Sequence, residues 1–204
     1  MAVPVPVRHE GATPVNVGVT SRSVRGLGAR QQARRDVREA VRQRFERLHD
    51  EGFVVLHDRQ AGGLESIDHI VIGPKGVYVI DAQPSSGLLE IRSTRSFVRP
   101  TQRQVFVQGR AQDKRVDAMA GQISAVRDAA GDMVEACSGT FSAVLCFVGA
   151  DLAVTQKPVL VGDGHVTVTW PGRFVQDVSR QGPLTPAMVQ MVAGRIAASL
   201  RPAF

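Results

Sequence analysis

A four-residue turn with strand-like segments on both sides is the feature that most constrains how this chain can fold. The segments SIDHIVI and VYVIDAQ are rich in β-branched residues, and only GPKG separates them. Strand-forming segments joined by a short turn that contains Gly and Pro are typical of a β-hairpin. The sequence therefore predicts a hairpin from Ser66 to Gln83.

The register of this hairpin determines which polar residues face each other. If GPKG closes the turn, Ile72 faces Val77, and Asp68 then faces Asp81. Side chains alternate along a strand, so Gln83 shares the face of Asp81. Facing Cβ atoms lie about 4.5–5.5 Å apart, which lets two carboxylates hold one hard cation, whereas like charges alone would destabilise the pair. The pattern predicts a metal or a buried counter-charge beside these acids.

The rest of the chain supplies helices and further strands around the hairpin. Both faces of the hairpin are largely apolar, which is typical of a position in the centre of a sheet. Helical periodicity predicts helices at 31–50, 112–130 and 185–200, with a short one at 172–179. Thr185 is the predicted cap of the last helix. Further strands are predicted at 53–58, 88–92, 104–107, 141–148, 158–161 and 166–170. Helices before, between and after the strands predict an α/β domain of layers.

The positive charge is concentrated in two parts of the chain. Residues 1–48 hold ten Arg against four acids, and the net charge of the whole chain is +6. We predict a flexible basic arm over residues 1–28 and one domain over residues 29–204. A second basic segment runs from Arg92 to Arg115. Arg side chains match phosphate oxygens well, so both segments favour nucleic-acid binding, although genome composition would give the same Arg bias.

Several classes of protein are not favoured. No apolar run reaches the roughly 18 residues that a membrane-spanning helix needs, and the first residues lack the pattern of a secretory signal. We therefore expect a soluble cytoplasmic protein. Cys137 and Cys146 lack the spacing of a zinc or redox site, so we expect buried reduced thiols.

The segments around the hairpin resemble those of a known family, the nuclease-related domain (NERD) of the PD-(D/E)xK superfamily. The resemblance covers about Ala33 to Ala203 and rests on EGFVVLHDR, IDHIVIGPKGVYVIDAQPSSG, GRAQDKRVDAMAGQISAVR, VLCFVGAD and VTVTWPGRFV. It implies the restriction-endonuclease-like fold, a three-layer domain in which helices flank a central mixed β-sheet.

The resemblance also implies roles for individual residues. In the family, the two hairpin acids hold a divalent metal, so Asp68 and Asp81 would bind Mg²⁺, with Mn²⁺ as a substitute. The family's lysine position is Gln83 here, and a glutamine of the family's helix matches Gln122, which completes the implied catalytic set. The implied partner is nucleic acid, with DNA as the expected substrate. The basic residues expected to bind it are Arg92, Arg95, Arg99, Arg103, Arg110, Lys114 and Arg115.

Two positions depart from the family's pattern. An amide at Gln83 carries no positive charge with which to stabilise a developing oxyanion or to lower the pKa of a bound water. The acid that the family places on its first helix corresponds to Arg38. Nearby acids that could replace it are Asp36, Glu39 and Glu65, and on a helical wheel Asp36 is better placed than Glu39.

Three functions follow as alternatives. The first is a Mg²⁺-dependent DNA hydrolase with a degenerate active site. The second is an inactive relative that binds nucleic acid or a protein partner. The third is a scaffold whose basic N-terminal arm binds an acidic protein or an anionic membrane surface.

Overall fold

The computed structural model describes residues 21–63, 66–94, 102–133, 140–152, 158–162, 164–178 and 180–203. The helices are α1 (Ser21–Phe45), which a 3₁₀ turn (Glu46–Glu51) continues, α2 (Asp113–Ala130), α3 (Pro171–Asp177) and α4 (Pro186–Ser199). The strands are β1 (Val54–Gln60), β2 (Ile67–Gly73), β3 (Gly76–Thr94), β4 (Gln102–Val107), β5 (Arg110–Ala111), β6 (Phe141–Leu152), β7 (Val159–Val161), β8 (Val166–Thr169) and β9 (Arg201–Pro202).

The described strands form one mixed sheet with helices on both faces. The order along the sheet is β7-β8-β6-β3-β2-β1-β9, and β4 pairs with both β3 and β5. β1, β2 and β3 are antiparallel neighbours, whereas β3, β6 and β8 run parallel. α2 and α4 contribute to one apolar core, and α1 and α3 to the other. The predicted α/β class with three layers is confirmed.

The predicted hairpin forms with the predicted register. Ile72 pairs with Val77, and the same register continues to the pair His69 and Ile80. Every residue of β2 is buried, as expected for a strand inside the sheet. Gly76 has φ +142°, and a side chain there would meet the backbone carbonyl of Thr140. Glycine is therefore required where the hairpin turn passes the start of β6.

α1 packs through one apolar stripe. Val37, Val41 and Phe45 recur at steps of four residues and are buried against the sheet. The helix begins at Ser21, ten residues before the predicted start, so residues 21–28, which were predicted as part of a flexible arm, are helical. Gly26 and Gly28 disfavour a helix, but extending an existing helix costs little free energy per residue compared with starting one. Residues 1–20 lie outside the described residues.

β3 is longer than predicted. The separate strand predicted at 88–92 is the continuation of β3. The segment between Pro84 and Gly87, whose Pro and Gly are typical of a turn, forms a bulge within the strand instead. β5 and β9 were not predicted, since two-residue strands show no periodicity. The predicted Thr185 cap is confirmed by its Oγ1, which accepts a hydrogen bond from the Met188 backbone N–H at 3.3 Å.

Two further predictions concern the cysteines and membranes. Cys146 is buried with a free thiol, and burial raises its pKa. Cys137 lies outside the described residues. Within the described part of the chain, no helix combines the length and the apolar character that crossing a membrane requires.

Candidate functional site

Asp68 and Asp81 lie side by side at the end of the hairpin that is away from its turn. Their exposed fractions are 1% and 7%. The Ala82 backbone N–H donates a hydrogen bond to Asp68 Oδ2 at 2.9 Å. Burial, followed by the charge of Asp81, raises the pKa of Asp68 to about 7, and Arg38 opposes this shift. The two acids therefore share one buried environment in which a second negative charge is unfavourable.

Gln83 is bonded directly to this pair. Its Nε2 donates to Asp81 Oδ1 at 2.5 Å, and the side chain is 2% exposed. Alternation along β3 places both side chains on one face of the strand. The amide provides Asp81 with a hydrogen-bond donor but with no positive charge.

Positive charge reaches the acids from α1. Three arginines follow each other at steps of four residues, so they lie on successive turns of one side of the helix. Each forms an ion pair with an aspartate of the sheet: Arg34 with Asp81 at 3.8 Å, Arg38 with Asp68 at 2.5 Å, and Arg42 with Asp58 at 2.6 Å. We call these six residues the arginine–aspartate ladder.

Arg38 makes the central contacts of the ladder. Its Nη2 lies 2.5 Å from Asp68 Oδ1 and donates to Ser66 Oγ at 3.3 Å, and its Nη1 lies 3.7 Å from Asp58 Oδ1. Asp68 Oδ1 has no well-aligned hydrogen bond among the described residues, so its contact with Arg38 is mainly ionic. One guanidinium therefore contacts oxygens from three residues, on β1 and at the start of β2.

Asp81 also lines an open groove of about 880 Å³ between α1 and the start of α2. Arg34 lines the α1 side, and Lys114 and Arg115 line the α2 side. Arg115 Nη1 lies 3.9 Å from Asp81 Oδ2. Gln122 lines the same groove and is 7% exposed, and its Oε1 accepts no hydrogen bond within the described residues. The structure thus places Gln122, Lys114 and Arg115 beside Asp81.

The other basic residues predicted to bind nucleic acid lie elsewhere. Arg92 lies over the Phe106 ring, 4.1 Å from its centroid. Arg103 lines a different cavity of about 730 Å³, and Arg110 is exposed on β5. None of the three lines the groove at Asp81. Two more lie outside the described residues: Arg95 and Arg99.

The comparison with known families agrees with this geometry. The sequence profile of the nuclease-related domain matches residues 30–148, more than half of the chain. The chain belongs to the nuclease-related domain family. The predicted family is therefore confirmed, and the PD-(D/E)xK superfamily is consistent with it. No curated protein and no solved structure matches the chain.

A divalent metal was the cofactor expected from the family resemblance, and the donors present here can be compared with that expectation. Over the residues that the structure describes, no three His, Cys, Asp or Glu side chains are grouped so that they could hold a metal ion. Asp68 Oδ1 is in contact with Arg38, and Asp81 Oδ1 accepts the Gln83 amide. Two acids that are already paired in this way do not fit a resident Mg²⁺, which prefers a set of free oxygen ligands.

The helix acid of the nuclease-related domain has no replacement on α1 of this chain. Asp36 and Glu39 are exposed, and each accepts a hydrogen bond from a glutamine one turn away on the same helix. Of these two candidates, Asp36 was the better placed on a helical wheel, but α1 turns Arg38 and not Asp36 towards β2. Glu65 lies outside the described residues.

A pair of histidines beside the site was not predicted. His57 and His69 face each other across β1 and β2, with their Nδ1 atoms 2.8 Å apart. Burial and the charge of Arg42 lower the pKa of His57 to about 4, and burial also lowers the pKa of His69. Alternation along β2 places His69 on the face opposite to Asp68, but only the pairing of β1 with β2 reveals its partner.

The sequence contains a pattern that could have indicated the arginines of the ladder. Arg34, Arg38 and Arg42 repeat at four-residue steps along the flank of the apolar stripe. Such a repeat is usually a solvated helix face. It becomes informative only when the acids that the helix packs against are known.

Proposed function

We propose that this nuclease-related domain binds the backbone of nucleic acid along α1 and the groove beside Asp81, without a resident metal. The observation that supports the proposal is the charge of α1, which carries eight arginines and two acids over Ser21–Phe45. This excess is as large as the net charge of +6 of the whole chain. A basic helix beside a groove is the electrostatic pattern of a phosphate-binding surface.

The groove provides donors on both of its sides. Arg34 lies on the α1 side, and Lys114 and Arg115 lie on the α2 side. Asp81 is 3.8 Å from Arg34 and 3.9 Å from Arg115, so one carboxylate orients both guanidinium groups beside the groove. Guanidinium groups held in this way can donate to phosphate oxygens. Such contacts hold a nucleic-acid strand without reading its bases.

A Mg²⁺-dependent DNA hydrolase is the second candidate. It is favoured by the close approach of Asp68 and Asp81 and by the poorly aligned contact at Asp68 Oδ1. A metal ion would first have to displace Arg38 from that oxygen, and for this reason we place the hydrolase second. That the ligand is DNA rather than RNA stays a prediction. A cytoplasmic location also stays a prediction.

Binding can be measured by fluorescence anisotropy with labelled duplex DNA, single-stranded DNA and RNA in EDTA. We expect affinity to fall steeply between about 50 and 200 mM salt, because neutralised phosphates release counterions. Replacing the exposed residues Arg30, Arg35 and Lys114 by Gln should weaken binding on all sequences and reduce the salt slope by about one per lost contact. The matched control is Arg201→Gln, an exposed arginine on the edge strand β9.

The second candidate is tested in parallel with linear and circular DNA in Mg²⁺ or Mn²⁺. We expect no cleavage above the level of an Asp81→Asn variant. Cleavage by the natural chain that EDTA and Asp81→Asn both abolish would establish the hydrolase instead. No binding to any of the three nucleic acids at about 50 mM salt would contradict the binding proposal itself.

A further inference from the structure

The strongest unexplained feature is a permanent cation in contact with Asp68, one acid of the buried pair. Arg38 reaches from α1 to the start of β2, where its Nη2 lies 2.5 Å from Asp68 Oδ1. Asp68 is 1% exposed, and its neighbour Asp81 adds a second negative charge. Removing a carboxylate from water is costly unless a positive charge compensates it. The contact with Arg38 supplies that charge from within the chain.

We propose that Arg38 replaces the divalent metal of this site, so that its guanidinium is the resident cation that compensates the charge of Asp68 beside Asp81. A guanidinium carries a fixed charge and only donor groups, so it cannot be a metal ligand. A divalent ion near Asp68 Oδ1 would also be repelled by it. The inference does not depend on nucleic-acid binding, since it concerns the free protein.

The other rungs of the ladder support this assignment. Arg42 lies 2.6 Å from Asp58, and Arg34 lies 3.8 Å from Asp81. Three ion pairs at four-residue spacing join α1 to β1, β2 and β3, so a further ion pair holds the helix one turn before Arg38 and another one turn after it. The stripe of Val37, Val41 and Phe45 fixes the rotation of that helix, because these residues are buried against the sheet. Arg38 is therefore directed at Asp68 by packing and not by chance.

The proposal predicts that one substitution creates a metal site. Arg38→Glu would remove the guanidinium and add a third carboxylate beside Asp68 and Asp81, which gives the all-oxygen donor set that Mg²⁺ and Mn²⁺ prefer. Binding of Mn²⁺ to the purified full chain can be followed by electron paramagnetic resonance, because the signal of free aqueous Mn²⁺ decreases when the ion binds. Thermal unfolding with and without Mg²⁺ gives a second readout that needs no activity.

We expect the natural chain to leave the free Mn²⁺ signal unchanged and its unfolding temperature unaffected by Mg²⁺. Arg38→Glu should bind Mn²⁺ at least about tenfold more tightly than the natural chain, and its unfolding temperature should rise by about 5 °C in Mg²⁺. The double variant Arg38→Glu with Asp68→Asn should lose this gain. Arg44→Glu, the same charge change at an exposed position of α1, is the matched control and should gain nothing.

Arg38→Gln keeps the test decisive if Arg38→Glu does not fold. It removes the cation without adding an acid, so we expect lower stability without metal and partial recovery in Mg²⁺ or Mn²⁺. Tight Mn²⁺ binding by the natural chain that Asp81→Asn abolishes would overturn the proposal. An Arg38→Gln variant that is as stable as the natural chain and gains no response to metal would overturn it as well.

Discussion

Three effects act on the carboxyl of Asp68: burial, repulsion by Asp81 and pairing with Arg38. Its carboxyl is buried beside Asp81, and Arg38 compensates only part of the resulting cost of ionisation. The pKa of this carboxyl is therefore raised to about 7, above its ordinary value of 3.8. A group that binds its proton more tightly in the folded chain makes folding more favourable as the pH falls.

This shift predicts how stability depends on pH. The pKa of Asp68 rises from 3.8 to about 7 on folding, so between pH 8 and pH 5.5 the folded chain takes up a proton that the unfolded chain does not. The natural chain should therefore gain about 2 kcal/mol of unfolding free energy over this range relative to Asp68→Asn. Urea denaturation of both chains at the two pH values measures the difference. Parallel pH profiles would contradict the shift.

The histidine pair predicts the opposite dependence at lower pH. The Nδ1 atoms of His57 and His69 share a 2.8 Å contact, so one nitrogen donates and the other must stay unprotonated. Folding lowers the pKa of His57 from 6.5 to about 4, so its contribution to stability is present above about pH 6.5 and is lost as the pH falls towards 4. His57→Gln should therefore flatten this part of the stability profile. The matched control is His165→Gln, a histidine substitution at an exposed position.

At the scale of elements, α1 combines packing with charge. One side carries the buried stripe that ends at Phe45, and the neighbouring side carries the arginines of the ladder. The stripe fixes the rotation of the helix, and the rotation decides which polar residues reach the sheet edge. Arg38 reaches Asp68 for this reason, whereas Asp36 stays in solvent.

The hairpin turn and α4 provide a matched pair of glycine substitutions. Gly76→Ala should destabilise the chain by about 2 kcal/mol or more, because φ is +142° and the new methyl group meets the Thr140 carbonyl. Gly194 is exposed within α4 with nothing near its side-chain position, so Gly194→Ala should stabilise by about 0.5–1 kcal/mol. Thermal or urea unfolding of the two variants gives both values. Similar effects of the two changes would contradict the turn geometry.

At the scale of the whole molecule, the excess positive charge falls within α1. Residues 1–20 contain Arg8 and Glu10 as their only Arg, Lys, Asp or Glu residues, so their formal net charge is zero. The excess predicted for a basic arm comes from arginines that belong to α1. This distribution favours a structured phosphate-binding surface over a basic arm that binds an acidic partner or a membrane.

A truncation distinguishes a phosphate-binding surface on α1 from a binding arm at residues 1–20. Removing residues 1–20 should leave the affinity for DNA within about threefold, because the segment contributes no net positive charge and counterion release depends on basic contacts. The Arg30 and Arg35 substitutions should weaken binding in both the full and the shortened chain. Anisotropy titrations at one salt concentration make the comparison. Loss of binding on truncation alone would support the arm instead.

The sequence by itself determined the features that depend on local periodicity. Alternation and the GPKG turn predicted the register of β2 and β3, and with it the neighbourhood of Asp68 and Asp81. Apolar spacing predicted the buried side of α1, and the Thr185 cap predicted the start of α4. These features succeed because each depends on residues that are close together along the chain.

Only the tertiary structure decided what neutralises the buried acids. The Arg38 guanidinium and Asp68 are thirty residues apart in the chain, and their contact at 2.5 Å depends on the angle and rotation at which α1 packs on the sheet. The pairing of His57 with His69 likewise depends on how β1 aligns with β2. The sequence predicted that the acid pair needs a metal or a counter-charge. The packing of α1 supplied the counter-charge, because it brings an arginine to the oxygen that a metal would need.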